Sequence, residues 1–69
     1  MELRTVNSSN LKQVGYDKKG KVLRVIFTSG ACYDYYSVDE QMFRHLIQSP
    51  SVGKFFHRYI KNSYKYSKI

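Results

Sequence analysis

From Val22 onward the chain spells out a hairpin. Leu23, Val25 and Phe27 alternate with Arg24 and Thr28, the two-residue period of a strand with one buried face, while Val22 and Ile26 leave its other face partly apolar. Thr28-Ser29-Gly30 suits a three-residue loop whose glycine takes the left-handed backbone position. Such a loop pairs Phe27 with Ala31, Val25 with Tyr33 and Leu23 with Tyr35, so both tyrosines share the face of the three apolar residues and Tyr36 points to the other side. A two-residue loop would shift the register by one and reverse those faces. Asp34, between two tyrosines, is placed either to accept a hydrogen bond or to pair with Arg24 across the hairpin.

The rest of the chain arranges itself around this hairpin. Asn7-Ser8-Ser9-Asn10 reads as a turn or the start of a first strand over Leu11 to Tyr16, and Asp17-Lys18-Lys19-Gly20 as a tight connection in which Gly20 supplies a positive backbone angle. Asp39 is placed to cap a helix that carries Met42, Phe43, Leu46 and Ile47 on one face and ends near Gln48. Ser49-Pro50-Ser51 breaks it, with either serine able to cap a second helix in which Val52, Phe55, Phe56, Tyr59 and Ile60 form the apolar stripe. Lys54, Arg58 and Lys61 then fall on the opposing face as neighbours along one ridge. The expected architecture is α+β, a three-stranded antiparallel β-meander packed against two short C-terminal helices. A partly ordered tail over residues 64–69 follows.

Sixty-nine residues make one domain, residues 1–69, with enough apolar material (42%) to fold without a metal or crosslink. The positive charge is segregated. Residues 1–40 hold six basic side chains against five acidic ones, whereas Arg44, Lys54, Arg58, Lys61, Lys65 and Lys68 follow Glu40 with no carboxylate side chain among them, so most of the net +7 lies in that last part. Six of the eleven aromatic residues share it. Three cations in a row on a helix repel by a few tenths of a kcal/mol per pair unless something anionic lies against them. A field of this kind attracts polyanions. No apolar run is long enough for a membrane span, and the first residues lack the pattern of a signal peptide, so the expected location is the cytoplasm. The single Cys32 has no internal disulfide partner.

Several motifs, taken in order, resemble the KTSC domain, a small bacterial module that also occurs at the C-terminus of some lysyl-tRNA synthetases. They are Ser8-Ser9-Asn10, Val14-Gly15-Tyr16-Asp17, the alternating Leu23, Val25 and Phe27 leading to Gly30, Tyr33-Asp34-Tyr35, and Ser49 through Phe56 with Ile60 and Tyr64-Lys65-Tyr66. Asp39 stands where members often carry proline, and both residues suit a helix start. The resemblance implies one small domain, and RNA as the ligand proposed for the family, without an established activity.

No catalytic constellation is legible. His45 and His57 sit on separate helices, no cysteine or histidine stands at metal-ligand spacing, and two of the five carboxylates, Asp17 and Asp39, have structural roles in a turn and a cap. The expectation is therefore a non-enzyme without cofactor or metal. The Tyr33-Asp34-Tyr35-Tyr36 stretch reads either as a base-stacking platform or, for Tyr33 and Tyr35, as core. The function expected is that of a nucleic-acid-binding module, RNA before DNA on the strength of the resemblance. Lys54, Arg58, Lys61 and Lys65 would contact phosphates, and Tyr36, Tyr64 and Tyr66 would stack on bases. The alternative is a small interaction or inhibitor protein, phage-encoded for instance, that docks the same patch on an acidic surface of a partner protein.

Overall fold

Five strands form one antiparallel sheet in chain order: β1 (Leu3–Thr5), β2 (Leu11–Asp17), β3 (Val22–Phe27), β4 (Cys32–Tyr35) and β5 (Tyr66–Lys68). The computed structural model describes residues 1–69. One face of the sheet carries the helices α1 (Glu40–Gln48) and α2 (Val52–Phe55), the second running directly into a π-helical segment, Phe56–Ile60. No helix is long and apolar enough to cross a membrane.

The central hairpin takes the three-residue loop. Leu23 pairs with Tyr35, Arg24 with Asp34 and Val25 with Tyr33, and the Phe27 N–H donates to the Ala31 carbonyl at 2.8 Å. Gly30 has φ +96, a backbone angle that residues with a β-carbon adopt only at a cost. Pairing in this register puts Leu23, Val25 and Tyr35 on the covered face, where they join Leu11, Val14, Val38, Leu46, Val52, Phe56 and Ile60 in one buried core. Each such side chain contributes roughly 1.5–3 kcal/mol by leaving water. Tyr16 closes one end, its ring stacked on Phe43 at 5.0 Å and its hydroxyl donating to the Val38 carbonyl at 2.5 Å. On the uncovered face Arg24 grips Asp34 bidentately, Nε to Oδ1 at 2.8 Å and Nη2 to Oδ2 at 3.0 Å.

Helix α1 begins as the sequence indicates, with Asp39 Oδ1 accepting from the Met42 N–H at 2.8 Å. Several other expectations are corrected. The sheet has five strands rather than three, because three-residue segments at each end of the chain pair along the edges of the meander. The tail is accordingly a strand, β5, anchored by the Ile69 N–H on the Cys32 carbonyl and the Tyr36 N–H on the Lys65 carbonyl. In the first hairpin the positive φ falls on Lys21 (55°) and not on Gly20; this turns the Lys21 carbonyl onto the Val38 N–H at 2.9 Å, while Gly20 lies against the Asp17 carboxylate. Finally, the second helix is not one regular stripe. The Lys61 N–H reaches back five residues to the Phe56 carbonyl, and of the expected stripe Phe56 and Ile60 are fully buried while Tyr59 stays 45% exposed. Neither serine caps it by side chain: Ser51 holds the cap position without such a bond, and Ser49 Oγ binds the Ser51 backbone instead.

Candidate nucleic-acid interface

The loop over residues 7–10 and the start of α2 lie against each other, and glycine is what permits the approach. A β-carbon on Gly53 would stand 2.8 Å from Ser8 Oγ. That hydroxyl is not free to swing away, since it accepts from the Asn10 and Leu11 N–H groups at 3.3 Å each. Between loop and helix runs a cleft of about 580 Å³ with no apolar lining residue, formed by Asn7 to Asn10, Ser51, Gly53, Lys54, His57 and Arg58. Its charged groups are Lys54 and Arg58, both exposed. The Arg58 guanidinium sits over the Tyr59 ring at 5.6 Å, an arrangement that orients it without neutralising it.

Why these cations stand unopposed follows from where the carboxylates are. Asp34 is held by Arg24, Asp39 caps α1, Asp17 accepts from the Lys19 N–H at 3.1 Å, and Glu40 lies between Arg44 at 3.2 Å and Lys18 at 3.7 Å. Arg44 is thus the one cation beyond Glu40 that has an ion-pair partner; Lys54, Arg58, Lys61, Lys65 and Lys68 have none. No group of three or more His, Cys, Asp or Glu side chains converges as a metal site would require.

The residues singled out from the sequence do not form one patch. Lys54 and Arg58 line the polar cleft. Lys61 and Tyr66 line a second, aromatic cavity on the other side of His57, because the π-helical winding carries Lys61 off the line of the first two. Tyr36 and Lys65 belong to the uncovered face of the sheet, two residues beyond Asp34 and two before Ser67 respectively. Tyr64 is half-buried against the core; burial first, and the neighbouring Asp39 carboxylate second, push its phenol up from the ordinary 10.0. A ring committed to packing beside a carboxylate is poorly placed to stack on a base. Sequence reasoning missed the residues 7–10 loop and His57 as parts of the site. Yet Ser8-Ser9-Asn10 and Ser49 to Phe56, two motifs far apart in the chain, are the segments that meet at the cleft.

The family model of the KTSC domain matches residues 7–64. A crystal structure of a KTSC domain protein from Yersinia pestis superimposes with a TM-score of 0.95 at 29% identity, covering 99% of this chain and 96% of that one. An uncharacterized protein of Stutzerimonas stutzeri is 35% identical over 65 residues, 93% of this chain and 92% of its own length. A lysine–tRNA ligase of Nostoc punctiforme is 33% identical over 61 residues, 88% of this chain but 11% of the ligase.

Proposed function

This chain belongs to the KTSC domain family, and from that premise we propose that it is a non-catalytic nucleic-acid-binding module, RNA before DNA, that seats a phosphodiester backbone in the cleft between the residues 7–10 loop and α2. The observation that carries this reading is the cleft itself: two unpaired cations, a histidine, and the hydroxyl and amide groups of Ser8, Ser9, Asn7 and Asn10, with no carboxylate in the lining. Such groups suit phosphate oxygens, which take hydrogen bonds from neutral donors as readily as charge from lysine and arginine. The choice of RNA leans on the same domain being part of a lysine–tRNA ligase, whose name specifies a tRNA. The engagement of Asp17 in a turn, Asp39 in a cap and Asp34 in an ion pair supports the non-catalytic reading.

Fluorescence anisotropy with a short single-stranded RNA tests this. With Lys54, Arg58 and Lys61 on phosphates, log K falls against log salt with a slope of about −2, at about 0.7 per contact. Lys54→Glu with Arg58→Glu removes two contacts, reducing the slope by about 1.4 and abolishing binding near physiological salt. Both side chains are exposed and unpaired, so the fold stays intact. The control pair, Lys18→Glu with Lys19→Glu in the first hairpin loop, changes net charge equally and leaves binding nearly intact. Equal weakening by both pairs would reduce the interaction to overall charge and favour an acidic protein surface as the occupant.

A further inference from the structure

On the far side of His57 from the cleft lies a cavity of about 310 Å³, at the lower end of the roughly 300–1,000 Å³ range of small-ligand sites. It opens where the helical layer stops short of the β4–β5 edge. Its lining combines the aromatic Phe56, Tyr33, Tyr35 and Tyr66 with the polar His57, Lys61 and Asn62. The tyrosines are prepared for a further ring. Tyr33 and Tyr35 approach Tyr66 at 5.7 and 5.4 Å between centroids, and Tyr66 is nevertheless 56% exposed.

Tyr35 supplies a polar group to the cavity. The residue is only 3% exposed, and a buried tyrosine ordinarily satisfies its hydroxyl within the protein. Here the hydroxyl has no protein partner, whereas Tyr16, less buried, donates to Val38. No side-chain nitrogen or oxygen shut off from solvent is left unsatisfied anywhere in the chain, so this hydroxyl must reach the surface, and the surface that Tyr35 lines is the cavity. Burial holds that phenol above its ordinary 10.0, so it is a neutral donor near pH 7.

We propose that this cavity takes one unstacked nucleobase of the bound strand, stacked on the open face of Tyr66, with the Tyr35 hydroxyl and the Asn62 amide at its edge and Lys61 on the adjoining phosphate. The proposal rests on the polyanion reading above, since His57 lines both depressions and the strand passes from one to the other across it. The volume is ample for one base, and the lining, which holds a cation and no carboxylate, suits an aromatic ligand that carries an anion.

The test uses the whole chain and a short single-stranded RNA in which each position in turn is made abasic. One abasic position lowers affinity about tenfold, Tyr66→Ala lowers it by a similar factor, and the two losses do not compound. Tyr66→Phe keeps the affinity. Tyr35→Phe, which removes only the unpartnered hydroxyl, weakens binding several-fold with an unchanged melting temperature and serves should Tyr66→Ala loosen β5. Adenosine, cytidine, guanosine and uridine 5′-monophosphates, titrated separately, move NMR resonances of Tyr33, Tyr35 and Tyr66. If no abasic position matters while charge reversal of Lys54 and Arg58 still abolishes binding, the base pocket is overturned and the cleft reading stands. If monophosphates shift the tyrosines but RNA affinity ignores that charge reversal, the cleft reading falls and the pocket survives. Shifts confined to Tyr36 overturn the pocket by moving stacking to the opposite face.

Discussion

Tyr33 and Tyr35 occupy alternate positions of one strand and face the same side of the sheet, and on the sequence alone truncating either carries the same cost, about 3 kcal/mol. The structure separates them. Tyr35 is 3% exposed, paired with Leu23 and wedged edge-on against Phe56 at 5.3 Å, so Tyr35→Ala opens a cavity in the centre of the core. Aromatic truncations of this kind cost about 3–5 kcal/mol. A chain of 69 residues holds only about 3–10 kcal/mol in total at roughly 0.05–0.15 kcal/mol per residue. The variant should therefore melt at least about 12 °C below the parent, at about 4–8 °C per kcal/mol, or show no cooperative transition at all. Tyr33 is half-buried, meets Phe27 edge-on at 5.6 Å and has one side open to the aromatic cavity, so Tyr33→Ala should cost about 1–2 kcal/mol. Tyr35→Phe deletes a hydroxyl without a partner and should stay within about 0.5 kcal/mol of the parent. Far-UV circular dichroism melts, with urea titrations to check that the m-value is unchanged, measure all three. A Tyr35→Ala melt within about 4 °C of the parent, or equal losses for the two alanine variants, would refute this account of the core.

Gly53→Ala should cost about 1–3 kcal/mol, because the new methyl meets a Ser8 hydroxyl that is tied to two backbone N–H groups. In a Ser8→Ala background, where the nearest remaining atom is 4.0 Å away, most of that penalty disappears; equal costs in both backgrounds, read from urea midpoints, would dismiss the contact. High pH tests the tyrosines together. Burial is the largest cause raising the phenols of Tyr16, Tyr35 and Tyr64 above the ordinary 10.0, so the unfolded chain loses these protons first. Stability from these groups is then fully present below about pH 10 and falls as the pH rises through their folded values; a urea midpoint that holds or climbs from about pH 9 to about pH 11 would contradict this.

Period-two alternation and a glycine loop decided the central hairpin, down to the Val25 with Tyr33 register and the Arg24 with Asp34 pair, because a buried face punishes any slip by one residue. Local chemistry also placed the start of α1, where an aspartate side chain meets an orphan N–H three residues on. The edge strands left no such trace. Residues Leu3–Thr5 and Tyr66–Lys68 are exposed throughout and lack the alternation of a strand with a buried face; backbone pairing to β2 and β4, with the Tyr66 ring against Tyr33 and Tyr35, holds them. The π-helical turn likewise left no mark in the local sequence, and it sets Lys61 apart from Lys54 and Arg58. Sequence thus determined that the chain carries segregated, uncompensated positive charge and an aromatic-rich sheet. Only the folded chain decided which cations share a cleft and which tyrosine is sealed into the core, since both depend on contacts between Ser8 and Gly53, and between Tyr35 and Phe56, that no local spacing encodes.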